Sequence, residues 1–244
     1  MPTGGCGAVV MSGEQGCTRC KHHLCISRVP IFSGLGEEEV SRISSLIRQT
    51  DYEKGEQIVT EGTDLGGLFV INSGQVKTFR VTVDGRERIL QVLSEGDFLG
   101  EKNLLARHPL TYSAEALVAT RVCFIPREDF LDLMRDYPDI LFNITAELCR
   151  RLDRMETMIQ MGATEVAVRM NAMLLEFAAK YGKMTEHGVL VTMPLSREGI
   201  ANYIGVTRET VSRKLKEMEE AGILHLIGNK RVLIHDMKAL SESY

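Results

Sequence analysis

The chain has 244 residues, 44% of them hydrophobic and 25% charged, the balance of a soluble globular protein with length enough for two domains. That balance excludes bulk disorder and a fibrous repeat, and no apolar run approaches the ~18–20 residues of a membrane span. The net charge of −4 excludes a general cationic coat but conceals a split: residues 164–244 hold 11 Lys+Arg against 10 Asp+Glu, the rest of the chain 18 against 23. An acidic front and a near-neutral back suit two domains with different partners.

Residues 1–16 are glycine-rich, aperiodic and without the basic-then-apolar pattern of a secretion signal. A cytoplasmic protein with a flexible N-terminal arm is therefore expected. Six cysteines punctuate the chain, Cys6, Cys17, Cys20, Cys25, Cys123 and Cys149. Three fall within the nine residues Cys17-Thr-Arg-Cys20-Lys-His-His-Leu-Cys25, a density that in a cytosolic chain points to metal or redox chemistry before structural disulfides. Glu37 to Ile47 then places Val40, Ile43, Leu46 and Ile47 on one helical face behind leading acids.

Short apolar segments follow at Gln57–Thr60, Gly67–Ile71, Gln75–Val83, Glu87–Leu93 and Arg121–Ile125, with a glycine at most corners. That spacing predicts a small antiparallel barrel or jelly roll, with a hairpin turn at Asp84-Gly85. From Arg127 the period becomes helical for some 35 residues. Leu141, Leu148, Leu152, Met155 and Ile159, spaced 7, 4, 3 and 4, form a seam expected on one long helix. Packing on the chain's own barrel is one use of such a seam; a symmetric dimer is the favoured one. Cys149 lies one position off the seam and is expected as a packed thiol.

Glu165 to Tyr181 is a further amphipathic helix, and Gly188–Met193 a short strand. Ser196 then caps a helix that stops at Gly205, and Thr207 caps a second whose inner face is Val211, Leu215 and Met218. Ile223–Ile234, with Gly228-Asn229-Lys230 at its middle, closes the pattern as a hairpin. Helix, tight glycine turn, helix and hairpin make a winged helix-turn-helix, whose second helix enters the major groove of double-stranded DNA. Arg208, Glu209, Ser212 and Arg213 are the candidates for base edges, Arg on guanine and Glu on cytosine. Lys214, Lys216, Lys230 and Arg231 are candidates for phosphates. An ordinary Glu209–Arg213 surface pair is the plainer alternative. No Walker loop, nucleophile elbow or metalloprotease helix is present, so an enzyme is not expected.

With these residues in view, the chain over roughly 28–240 resembles the bacterial regulator superfamily that includes the cAMP receptor protein and the fumarate–nitrate reduction regulator. The resemblance rests on the glycine-punctuated barrel, the central helix and the run from Leu195 to Arg213. It implies an α+β fold in four parts: an arm with the cysteine cluster (1–28), a cyclic-nucleotide-binding-like sensor barrel (29–134), a dimerisation helix (135–163) and a winged helix-turn-helix (164–244). It also implies a homodimeric transcription factor on a palindrome. Arg208, Glu209 and Arg213 match the cAMP-receptor reading set, with TGTGA-like half-sites, while Glu209, Ser212 and Arg213 match the fumarate–nitrate set, with TTGAT-like half-sites. The hairpin tip Asp84-Gly85-Arg86-Glu87 is either a contact to RNA polymerase, as the resemblance suggests, or a solvated turn.

Cyclic-nucleotide members carry a phosphate-clamping Arg after a Phe-Gly-Glu turn. Here Phe98-Leu99-Gly100-Glu101 is present, but Leu110 or Tyr112 stands near the place of that Arg. The fumarate–nitrate regulator instead binds a [4Fe–4S] cluster through three close N-terminal cysteines and a fourth on the barrel. The layout of Cys17, Cys20, Cys25 and Cys123 resembles this, although its C-x₂-C-x₄-C spacing is one residue shorter in the second gap. Oxygen or redox control through such a cluster is thus the expectation. Zinc on the same cysteines or His22 and His23, a thiol–disulfide switch, haem and a cyclic nucleotide remain alternatives.

Overall fold

A computed structural model describes residues 29–162 and 165–241. Cys17, Cys20 and Cys25 lie outside the described residues. The chain divides into two compact units, one on residues 29–80 and 90–151, the other on 81–89 and 152–241.

In the first unit a 3-10 turn, Pro30–Phe32, leads to α1 (Glu37–Leu46). Three acids begin α1, and Val40 and Ile43 are its buried face. The strands are β1 (Arg48–Tyr52), β2 (Gln57–Val59), β3 (Gly67–Ser73), β4 (Gln75–Val81), β5 (Glu87–Ser94) and β6 (Phe98–Leu99), then β7 (Ser113–Ala116) and β8 (Thr120–Pro126). A short α2 (Glu101–Ala106) separates β6 from β7. The strands form two four-stranded sheets, ordered β1-β8-β3-β6 and β2-β7-β4-β5, and β3 pairs antiparallel with β8, Val70 opposite Cys123.

Two cores share the first sheet. Phe69 and Ile71 of β3 and Val122 and Phe124 of β8 face a core that also takes Ile58, Val76, Leu93 and Ala114 from the second sheet. Leu68 and Val70, with Cys123 and Ile125, point the other way, against Val29, Ile31, Phe32, α1 and the helices that follow. Burial on both faces explains why β3 and β8 read as unbroken apolar runs instead of alternating ones. Gly67 has no room for a side chain, because a Cβ there would run into the Ile125 carbonyl and the Phe124 ring.

The expected single helix from Arg127 is instead two, α3 (Arg127–Asp136) and α4 (Pro138–Gly162). Pro138 has no N–H to give to the preceding turn, so it ends one helix and starts the next. On α4, Ile140 and Ile144 are fully buried in the core that holds Cys123. The stripe beside them leaves Leu141 at 47%, Leu152 at 55% and Met155 at 53% exposure, with Leu148 half-buried, and Phe142 farther round is 81% exposed. Ile159 falls outside the described side chains. Cys149 is exposed, not packed as expected, because it shares the open face and not that of Ile140 and Ile144.

The second unit contains α5 (Val166–Tyr181), β9 (Gly182–Thr185), β10 (Gly188–Thr192), α6 (Arg197–Ile204) and α7 (Arg208–Glu220), then β11 (Leu224–Ile227), β12 (Arg231–Ile234) and α8 (Met237–Ser241). Its sheet runs β11-β12-β10-β9, so the closing hairpin is half of a four-stranded sheet. No helix among the described residues is long and apolar enough to cross a membrane.

Candidate nucleic-acid interface and sulfur site

The turn between α6 and α7 is fixed at both ends by side-chain caps. Ser196 Oγ accepts from Gly199 N at 3.1 Å, and Thr207 Oγ1 accepts from Thr210 N at 3.3 Å, satisfying donors that a helix start leaves open. Gly205 between them has φ +73°, the left-handed region that disfavours any residue with a Cβ. Arg169 Nη1 of α5 donates to Ile204 O at 2.9 Å, and Tyr203 donates to Glu176 at 2.7 Å. These bonds join the helix-turn-helix to α5.

Val211, Leu215 and Met218 bury one face of α7. The other face exposes Arg208, Glu209, Ser212, Arg213 and Lys216 together, while Lys214 is half-buried at its edge. Glu209 and Arg213 do not serve each other as the plainer surface pair would have it. Glu209 is held below the usual carboxylate range by its own backbone N–H and the Thr207 hydroxyl. Arg213 Nε lies 3.7 Å from Glu217, which also takes Lys214 Nζ at 2.6 Å. Exposed pairs of this kind are weak and yield readily to a phosphate or a base. Lys230 and Arg231 are exposed at the β11–β12 tip, where Gly228 turns the chain with φ +62°. Glu219 accepts from Leu226 N at 2.8 Å and lies 2.9 Å from His225 Nδ1, tying this wing to the end of α7.

In the first unit Cys123 is 3% exposed on the outer face of its sheet. Gln49 Nε2 and Asn72 Nδ2 each donate to its Sγ at 3.7 Å. Val29, the first described residue, belongs to the same buried cluster. Asn143 of α4 reaches that N-terminal segment, donating to Ser33 O at 3.0 Å and Ile31 O at 3.4 Å.

Around the Phe98–Glu101 turn the polar groups pair within the chain. Leu110 is buried, and burial raises the Tyr112 hydroxyl far above its usual range. Arg151 Nη1 meets Glu101 Oε1 at 3.1 Å with both side chains largely buried. Arg151 also donates to Phe98 O at 2.9 Å and lies 4.2 Å over the Phe98 ring. Arg151 lies off the seam of Leu141, Leu148 and Leu152, and no role was assigned to it from the sequence. Its signal was its spacing from Ile140, Ile144 and Glu147, which puts it on the buried face.

Residues 49–137 match the cyclic nucleotide-binding domain family, and residues 168–243 match the Crp-like helix-turn-helix domain. The transcriptional regulator flp of Lacticaseibacillus casei is 32% identical over 85% of this chain and 93% of its own. A CRP-like cAMP-activated global transcriptional regulator of Mycobacterium tuberculosis is 30% identical over 88% and 96%. An anaerobic regulatory protein of Pasteurella multocida is 30% identical over 97% of this chain and 86% of its own.

Proposed function

This chain belongs to the CRP/FNR superfamily of DNA-binding transcriptional regulators, and from that premise we propose that it reads a palindromic DNA site as a homodimer under oxygen or redox control through a [4Fe–4S] cluster on Cys17, Cys20, Cys25 and Cys123. The observation that carries this reading is Cys123: a buried sulfur that receives two amide donors, beside the segment leading from the cysteine cluster. Cys25 lies four residues before Val29, so chain length alone keeps it within about 14 Å of that residue. Four thiolates are soft donors suited to iron–sulfur ligation, and N–H···S bonds are the usual company of such ligands. The shared length with an anaerobic regulatory protein supports the same reading.

When bound, a cluster supplies a redox-active, oxygen-labile link between the N-terminal cysteines and the barrel. The chain's own residues carry the consequence to α4. Val29, Ile31 and Phe32 pack in one core with Cys123, Ile140 and Ile144, and Asn143 binds the Ile31 and Ser33 carbonyls. Ordering that segment favours one seating of α4, which offers Leu141, Phe142, Leu148, Leu152 and Met155 to a second copy. A difference in affinity for two such seatings is all that control requires. The dimer would set two α7 helices about 34 Å apart, one in each half-site. There Arg213 and Glu209 read bases, Arg208 and Ser212 flank them, and Lys214, Lys230 and Arg231 take phosphates. The buried Glu101–Arg151 pair and the Leu110 position speak against a cyclic nucleotide as effector.

Binding of a palindromic duplex, measured with and without air for the natural chain and for Cys123→Ala and Cys149→Ala, tests the reading. Oxygen sensitivity lost in Cys123→Ala and kept in Cys149→Ala is expected. Full regulation in Cys123→Ala would refute it.

A further inference from the structure

α7 places acids where contact with the DNA backbone gives them no use. Val211, Leu215 and Met218 bury one side of the helix, and its period puts Glu209, Arg213, Lys216, Glu217 and Glu220 on the open side. Glu217, one turn beyond Arg213, holds two cations on separate oxygens. Lys214 Nζ lies 2.6 Å from Oε2, and Arg213 meets Oε1 through Nε at 3.7 Å. The Lys214 hydrogen bond first, and then the Lys214 and Arg213 charges, hold Glu217 below the usual carboxylate range. A carboxylate in this place repels phosphates and adds nothing to affinity for the backbone. Its use lies in what it leaves of Arg213. With Nε engaged, the two Nη groups are left for a base edge, and guanine O6 and N7 accept two such donors.

We propose that Glu217 is a positioning residue for sequence reading: pinned by Lys214, it holds Arg213 by Nε in the pose that guanine accepts, and so favours a matched site over DNA at large. The inference rests on the base-reading role of Arg213 proposed above, is independent of the cluster, and adds the residue that makes a cation a reader. Guanine takes the two Nη groups and leaves the Nε contact in place. Lys214 has three donors and can serve a phosphate without releasing Glu217. An Arg side chain already held in one geometry also loses less freedom on binding. A phosphate instead attracts the guanidinium from any direction. Binding to unmatched DNA therefore draws Arg213 off Glu217 and leaves that carboxylate uncompensated beside the backbone. The penalty falls on the wrong partner and spares the right one, which is how specificity is built.

The test measures binding of the full chain, natural and as Glu217→Gln, Glu220→Gln, Arg213→Ala and the Arg213→Ala/Glu217→Gln double variant. The duplexes are an inverted repeat that the natural chain selects from a random pool, the same repeat with each single base-pair change, and a scrambled sequence, at several salt concentrations. In Glu217→Gln, affinity for the scrambled duplex should rise and its salt slope steepen by about 1 for each half-site. Discrimination at the base pair that Arg213→Ala identifies should fall about threefold per half-site, part of what a bidentate guanine contact gives, and so about tenfold for the repeat. Glu220 shares the open side and pairs with Lys216 at 3.5 Å, so Glu220→Gln removes the same charge without touching Arg213. It should raise all affinities alike and leave the discrimination unchanged. Without Arg213, Glu217→Gln should no longer alter discrimination. An unchanged ratio in Glu217→Gln, an equal fall in Glu220→Gln, or a fall that persists without Arg213 overturns the inference and leaves the DNA-reading assignment intact. A natural chain that selects no sequence, or an Arg213→Ala chain with undiminished discrimination, overturns the base-reading role and the inference with it.

Discussion

Replacing Arg151 by Met is expected to destabilise the sensor unit more than any single change on its surface. Arg151 meets Glu101 at 3.1 Å, donates to Phe98 O at 2.9 Å and stacks on the Phe98 ring at 4.2 Å. Glu101 Oε2 is buried without a hydrogen-bond partner, so losing Arg151 would strand both carboxylate oxygens away from water. Breaking a buried pair in this way costs about 3–5 kcal/mol, a large part of a typical stability of about 5–15 kcal/mol. At roughly 2–4 °C per kcal/mol for a chain of this size, the sensor transition should fall by about 6–20 °C. Glu101→Gln should cost less, because Arg151 keeps the Phe98 carbonyl, the Phe98 ring and Glu147 at 3.4 Å. A double-mutant cycle followed by urea unfolding should return a coupling of about 2 kcal/mol or more. A loss below about 1 kcal/mol for Arg151→Met, or a vanishing coupling, would refute the claim that this pair anchors α4 to the barrel.

Further outcomes concern the two interfaces and the link between them. Arg213→Ala should cost about 1–3 kcal/mol per half-site and relax discrimination at one base pair, whereas Lys230→Ala should weaken all sequences alike and lower the salt slope by about 1; titrations of matched and mismatched duplexes at several salt concentrations separate the two. Phe142→Asp should dissociate the proposed dimer, seen as a halved mass in sedimentation, without lowering the melting temperature of the sensor unit, since Phe142 is 81% exposed. Asn143→Leu removes two bonds to the N-terminal segment and should narrow the difference in DNA affinity between air and anaerobic conditions; an undiminished difference would exclude this route from segment to helix. Gly205→Ala forces a side chain into φ +73° and should destabilise the DNA-reading unit by about 1–2 kcal/mol by thermal melting.

The DNA-reading unit was legible almost residue by residue because its signals are local. Caps at Ser196 and Thr207, the left-handed Gly205 and the period of Val211, Leu215 and Met218 need no distant partner to be recognised. The barrel was legible where strands are apolar and opaque where they are not. β1, Arg-Gln-Thr-Asp-Tyr, buries only Tyr52 and owes its existence to pairing with β8, which no local pattern announces. β7 and α2 are short elements held by distant neighbours, such as the Asn103 amide that donates to Asp64 and to the His108 carbonyl. The helix break was written plainly at Pro138, but the continuous seam outweighed it. Arg151, Gln49 and Asn72 escaped because a polar residue on a buried face is read as exposed until its partner is known.

We propose that Cys17, Cys20, Cys25 and Cys123 together hold an oxygen-labile cluster that controls DNA binding. Anaerobic purification with iron and sulfide analysis and an absorption spectrum, repeated after exposure to air, tests it most directly. About four irons and four sulfides per chain are expected, with a broad band near ~400 nm that air bleaches together with DNA affinity. A colourless protein with one zinc per chain, or one whose DNA affinity follows a reversible dithiol without iron, would contradict it.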